Sequence, residues 1–159
     1  MKVLILYYSK GGNTRKLAEA ISQGVSQVDG VETALRHTRD VTKHDFLTAN
    51  GLVVGSPVDF GTMAAQLKQV LDDFVSVRKN MENKVGAVFS TSGDASGGKE
   101  TTMMSIIQAL LIYGLIIVGD PMSATGHYST ACVGTPDAGA FENARELGRR
   151  VAEVVERLT

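Results

Sequence analysis

Along the chain, short unbroken apolar runs alternate with stretches whose apolar positions recur every three or four residues. VLILYY, GLVVG, VGAVF and LIIV are the unbroken runs, and each is bounded by Gly, Ser, Asn or Lys. A strand covered on both faces has no polar side to show, so these runs predict strands of a parallel sheet buried on both faces at Lys2 to Tyr8, Gly51 to Ser56, Val85 to Ser90 and Leu115 to Val118. ETALRHT is polar and alternating, which places the strand from Val31 to His37 at a sheet edge. Helical spacing follows the first strand at Leu17, Ile21, Val25 and Val28. It returns at Leu67, Val70, Leu71, Phe74 and Val77, and again at Ala144, Leu147, Val151, Val154 and Leu158. MMSIIQALLIYGLIIVG is shorter than the roughly 20 residues that a membrane span needs and is broken by Gln108 and Gly114. It reads as a buried helix, a turn at Gly114 and a buried strand.

Strands alternating with helices call for a parallel sheet with helices on both faces. Right-handed crossovers then gather the loops at the carboxyl ends of the strands on one rim, where ligands bind. Those loops are SKGGNT, SPVDFGTM, STSGDASGGKE and the long segment from Gly119 to Ala138, part of which suits a short edge strand at Tyr128 to Val133. With 159 residues and no repeat or linker, residues 1–159 read as one domain.

Composition narrows the partners. The net charge of −1 supplies no bulk field for nucleic acid or an anionic membrane, so recognition must be local. The one cysteine, Cys132, can form no internal disulfide and reads as a small buried hydrophobe rather than a reactive thiol. MKVLILYY lacks the apolar length of a signal segment and is expected to be the first strand, which makes a cytoplasmic location the natural expectation. His37, His44 and His127 have no ligand spacing, so no metal site is expected.

In SKGGNT the glycines permit tight, positive-φ geometry, and the first amides of the following helix point back at the loop. Ser9 and Thr14 add hydroxyls, and the helix dipole favours a dianion. A plain turn with Asn13 as N-cap is the competing reading. GDASGGKE, Gly93 to Glu100, nearly spells the triphosphate pattern G-x-x-x-x-G-K-S/T, but Glu100 stands where Mg²⁺ needs a hydroxyl. GGNTRK lacks the dinucleotide pattern G-x-G-x-x-G. Tyr7, Tyr8, Gly55 and Ser56 stand where a phosphoacceptor receiver domain needs carboxylates.

Ser9 to Thr14 resembles the flavin-phosphate loop of flavodoxins, usually Ser/Thr-x-Ser/Thr-Gly-Asn-Thr. GSPVDFGTMAAQLKQVLDDF, Gly55 to Phe74, and VFSTSGDASGGKETT, Val88 to Thr102, are similar to the second and third flavin loops of WrbA-like NAD(P)H:quinone oxidoreductases. These belong to the flavodoxin-like superfamily, and the correspondence runs through nearly the whole chain. The resemblance implies an α/β fold: a flavodoxin-like three-layer α/β/α sandwich whose five-stranded parallel sheet has the order 2-1-3-4-5, with FMN where the order reverses.

By the same resemblance Ser9, Gly11, Gly12, Asn13 and Thr14 would hold the FMN phosphate, with Lys10 giving its backbone amide. Gly11 replaces the more usual hydroxyl residue. Pro57, Val58, Asp59, Phe60 and Gly61 would line one side of the isoalloxazine ring. Phe60 would be an aromatic contact or a plain rim hydrophobe, and Gly61 would let the Phe60-Gly61 peptide turn toward flavin N5. Thr91, Ser92, Gly93 and Asp94 would edge the pyrimidine. The flavin N5, not a catalytic side chain, would carry the chemistry.

Electron-carrying flavodoxins usually sandwich the ring between two aromatics and are strongly acidic. The third loop here has no aromatic residue and the chain is near neutral. That implies an open ring face, taking NADH or NADPH and then a quinone or similar small acceptor. The alternative is a non-enzymatic flavodoxin that passes electrons between redox protein partners. His127 and Tyr128 are candidates to border the open face, and Lys99 is either solvated or meets a pyridine-nucleotide phosphate. Tyr113 stands where the resembled oxidoreductases carry a His that reaches a neighbouring subunit, so a homo-oligomer with a different contact and a core tyrosine are both open readings.

Overall fold

A computed structural model describes the whole chain, Met1–Thr159. β1 (Lys2–Tyr7) leads through a Gly-rich turn into α1 (Asn13–Val25), and β2 (Glu32–His37) into α2 (Lys43–Thr48). β3 (Gly51–Asp59), β4 (Thr62–Met63), α3 (Ala65–Asp73) and a 3-10 turn at Val75–Met81 follow. β5 (Val85–Ser92), α4 (Lys99–Ile112), β6 (Ile116–Ile117), β7 (Thr130–Val133) and α5 (Ala138–Leu158) complete the order.

The parallel path runs β2-β1-β3-β5-β6, which is the expected order of the main strands. Two short strands bring the sheet to seven. β4 folds back antiparallel on the end of β3, with Val58 opposite Met63 and Asp59 opposite Thr62. β7 pairs parallel with the upper half of β5, Phe89 to Ser92, while β6 pairs with its lower end at Val85 and Gly86. The fifth lane is therefore shared by two segments joined by a long excursion. Only Ile116 and Ile117 of LIIV form a strand, and Ile116 is 43% exposed because the sheet ends there, so this strand is not the buried one its apolarity suggests.

Alternate residues explain the unbroken runs. Val3, Ile5 and Tyr7 face α1 and α5, together with Val53, Ala87 and Phe89. Leu4 and Leu6 face the opposite layer of α2, α3 and α4, with Leu52, Val54 and Val88. Both layers exclude water, so neither parity tolerates a polar side chain. α4 departs from the expected buried helix: Met103, Ile106 and Leu110 are buried, but Met104, Leu111 and Ile112 are exposed. A helix in an outer layer can cover only one of its faces, whatever its composition. α1 stops at Val25, leaving Val28 in the turn beyond, and the spacing at Phe74 and Val77 continues past α3 into the 3-10 turn. No helix is long and apolar enough to cross a membrane.

α1 and α5 meet through glycine. A Cβ on Gly24 would lie 1.9 Å from the Arg145 carbonyl oxygen, and one on Gly148 would lie 2.1 Å from that of Ile21. Tyr113 is 5% exposed and donates its hydroxyl hydrogen to the Leu71 carbonyl, which makes it the core tyrosine. Burial, followed by the charge of Asp72, pushes its pKa up to about 12.

Gly148→Ala should lower the unfolding free energy in urea by about 1–3 kcal/mol despite the better helix propensity of Ala, because the clash is with backbone. The neutral Tyr113 phenol stabilises the fold fully below pH 10, and that contribution disappears as pH rises toward about 12. Urea titrations across this range should show a loss on the order of 2 kcal/mol in the native chain that is absent from Tyr113→Phe.

Candidate functional site

β1 ends at Tyr7, and the Tyr8 N–H reaches the Gly55 carbonyl at 3.1 Å, so the chain leaves the sheet at Ser9. Gly12 then takes φ 91° and caps α1 without any side-chain cap. Asn13 is the first helical residue and not the N-cap, because the left-handed turn at Gly12 already directs the chain into the helix. Ser9 Oγ accepts the Gly12 N–H at 3.1 Å and the Arg15 N–H at 3.4 Å. The N–H groups of Lys10, Gly11, Asn13 and Thr14 donate to no protein atom. A Cβ on Gly11 or Gly12 would meet nothing within 4 Å. Four free donors at the positive end of a helix, with open space in front of them, make an anion cradle.

Thr14 is 2% exposed, and its hydroxyl lies 2.9 Å from that of Thr91 at the end of β5. This buried bond ties the first loop to the third. In the third loop Ser92 Oγ donates to the Asp94 carbonyl at 2.7 Å, and the Gly97 N–H reaches the same oxygen at 3.1 Å. The turn so made leaves the N–H groups of Gly93, Asp94, Ala95 and Ser96 without protein partners. Lys99 Nζ bonds the Ala95 carbonyl at 2.8 Å, so the lysine of GDASGGKE folds onto its own loop.

The second loop is a hairpin that the sequence pattern missed. β3 runs to Asp59 and returns at Thr62 through Phe60 and Gly61, whose φ values are 48° and 80°. A two-residue type I′ turn needs both φ angles positive. Gly61 adopts its angle freely, whereas a bulky aromatic at φ 48° is strained. Phe60 is also fully exposed, at 106% of its reference area. The hairpin is braced from α4: Thr101 Oγ1 donates to the Gly61 carbonyl at 2.6 Å, and Ser105 Oγ accepts the Met63 N–H at 3.1 Å. Thr101 and Ser105 were not singled out in the sequence, where a Thr and a Ser on a helix carry no distinguishing pattern.

The three loops thus converge on one rim, two of them with free backbone donors and the third with a strained, exposed aromatic. The family model described as NADPH-dependent FMN reductase matches residues 42–130. A "Flavodoxin" of Aquifex aeolicus is 36% identical over 97% of this chain and 86% of its own. An "NAD(P)H dehydrogenase (quinone)" of Archaeoglobus fulgidus is 32% identical over 99% of this chain and 98% of its own. The chain belongs to the NADPH-dependent FMN reductase family.

It is therefore a flavodoxin-like, FMN-dependent oxidoreductase. The fold agrees: the crystal structure of a flavodoxin, WrbA-like protein from Agrobacterium tumefaciens superposes with a TM-score of 0.85 at 22% identity, covering 99% of both chains. The donor set suits FMN on chemical grounds. A phosphate dianion matches the four free amides at Lys10 to Thr14, and the carbonyl and ring-nitrogen acceptors of a pyrimidine edge match the free amides at Gly93 to Ser96.

The fourth loop lies beside α4. Ser129 Oγ donates to the Val88 carbonyl and fixes its return to the sheet. His127 and Tyr128 line a hollow of about 280 Å³ against Lys99 and Met103. Cys132 packs against the α1/α5 core, and burial followed by the charge of Asp137 raises its pKa, so it stays a thiol.

Phe60→Asn should raise the urea unfolding free energy of the flavin-free protein by about 0.5–1 kcal/mol, because Asn tolerates the left-handed region and an exposed ring loses no packing. A decrease would show that the Phe60 conformation is not strained.

Proposed function

We propose that the chain passes hydride equivalents from NADH or NADPH to a quinone or similar small acceptor, through FMN held at the rim by Ser9 to Thr14, Pro57 to Gly61 and Thr91 to Asp94. The observation that carries this reading is the asymmetry of the rim. Phe60 is the aromatic residue presented by the second loop, and the third loop presents only backbone amides, hydroxyls and Asp94. One ring face then stays open for two flat substrates in turn, and holding each in contact does most of the catalytic work.

When bound, FMN supplies reversible two-electron chemistry at N5. The chain's own residues bind, orient and balance charge. Lys10, Gly11, Asn13 and Thr14 offer their amides to the phosphate, while Ser9 holds the loop open by taking the Gly12 and Arg15 amides. The Thr14–Thr91 bond keeps the phosphate end and the pyrimidine end at a constant separation. The free amides from Gly93 onward would hold the pyrimidine edge and balance the negative charge that grows there on reduction. The Phe60-Gly61 peptide has no backbone hydrogen bond of its own, so it is free to turn toward N5. The single Cys132 thiol suits a reducing cytoplasm.

An electron carrier between redox proteins is the second reading, favoured by the flavodoxin relative. The two separate in one experiment. FMN-loaded protein is mixed anaerobically with NADH or NADPH, and the flavin's visible absorption is followed before and after adding benzoquinone. Rapid bleaching and recovery are expected. Bleaching by neither nucleotide, with electron exchange only to a redox protein, would replace the reductase by a carrier. The phosphate cradle is tested separately: Gly12→Asp with Thr14→Val should weaken FMN binding by about 100-fold or more in a fluorescence titration, since a carboxylate then faces the phosphate. Stoichiometric FMN in that double variant would sink the assignment.

A further inference from the structure

Beyond the flavin rim, a groove of about 870 Å³ opens between Ser9 and Lys10, the segment after β2, and the first turns of α3. Its size falls within the range of small-molecule sites, roughly 300–1,000 Å³. One wall carries Lys10, His37 and Arg39, and the facing wall carries Gln66 and Gln69. Lys10 and Arg39 are exposed and enter none of the chain's ion pairs. The one carboxylate in the lining, Asp73, already accepts the Gln69 side-chain amide at 2.8 Å. Lys10 and Arg39 against the single Asp73 leave the lining net positive, and with the neutral donors this suits an anionic ligand with further polar groups.

The wall of Lys10, His37 and Arg39 is continued by the Tyr8 ring. The rings of Tyr8 and His37 lie 5.6 Å apart, and His37 also stands edge-on to Tyr7 at 5.4 Å. His37 Nδ1 accepts the Arg39 N–H at 3.2 Å, which fixes the turn that carries the guanidinium. Burial, and next the positive charge of Arg39, lower the imidazole pKa below its ordinary value against the opposing charge of Asp40, which favours the neutral ring. The groove also joins the flavin rim. Ser9 and Lys10 belong to both, and Ala65 lines both this groove and the hollow beside the Phe60 hairpin.

We infer that this groove takes the adenosine-phosphate end of NADPH, with Lys10 and Arg39 meeting its phosphates and the Tyr8 and His37 rings beside its purine. The inference rests on the reductase reading and makes Arg39 the residue that favours NADPH over NADH, since only NADPH carries the additional 2′-phosphate dianion. Arg presents a planar fork that matches a phosphate, and the Arg39 guanidinium enters no ion pair that would compete for it.

The test uses the FMN-loaded protein. Calorimetric titration with adenosine 2′,5′-bisphosphate should show binding to the native protein, weakened about tenfold in Arg39→Ala and lost in Arg39→Glu. FMN content should be the same in all three, which also reports that the variants fold. In steady-state assays KM for NADPH should rise about tenfold in Arg39→Ala, with a smaller change for NADH and none for benzoquinone. Failure of the bisphosphate to bind native protein, or equal binding in Arg39→Glu, overturns the inference. If NADPH still bleaches the flavin in that case, the reductase reading stands and only the groove assignment falls. Binding of the bisphosphate without bleaching by either nucleotide overturns the reductase reading and keeps the groove as a nucleotide site. Loss in Arg39→Glu of electron exchange with an acidic redox protein, with no bisphosphate binding, would make the patch a protein dock and overturn the inference.

Discussion

Parallel pairing sets Tyr7 beside Gly55 and Gly55 beside Phe89, and this register decides where three strands release their chains toward solvent. Because β1, β3 and β5 run in the same direction and in step, the loops that follow them emerge on one rim. The first and third loops carry backbone donors that the sheet no longer uses. Gly55 has a packing role in this arrangement: a Cβ there would lie 2.0 Å from Phe89 Cζ, so the ring lies across the glycine and fills the layer under α1 and α5. Every later feature of the site inherits its position from these central strands.

The rim is kept in place by contacts that cross between loops. The Thr14 and Thr91 hydroxyls meet inside the protein, where a hydrogen bond is strengthened by its surroundings and an unmet hydroxyl is costly. Behind them α1 is clamped to α5 by the glycine contacts at Gly24 and Gly148, which brings the two backbones closer than any side chain would permit. On the other side Thr101 and Ser105 hold the Phe60 hairpin to α4. The amides left free in the first and third loops are therefore held in a rigid frame, which is the condition for binding a phosphate without first ordering the loop. Strain is confined to Phe60, at the tip of the hairpin that the flavin-dependent reading places beside the ring.

Function at this rim follows from what is missing as well as from what is present. On the proposed reading, a ring held by backbone amides and one aromatic side chain would leave room for a second flat molecule, with the groove at Lys10 and Arg39 beside it. Surface pairs such as Arg15 with Glu19 and Lys68 with Asp72 are exposed and contribute little to stability.

The continuous apolarity of VLILYY, GLVVG and VGAVF determined the buried parallel strands, since only a strand covered on both faces excludes polar side chains at every position. The polar alternation of ETALRHT likewise determined its edge place. SKGGNT carried the cradle in its own residues, because Gly12 must turn left-handed before a helix can begin. Three features depended on the tertiary structure. LIIV is as apolar as the inner strands but ends at the sheet edge, which depends on where the next segment goes. The Phe60-Gly61 turn sets a Phe in a conformation that local preference opposes, held by Thr101 from forty residues away. The groove is built from β1, β2 and α3, which are distant along the chain and adjacent only because the crossovers fold them onto one end of the sheet. Local sequence determines what a segment prefers; which unpaired donors and cations come to share a space is a property of the packed chain.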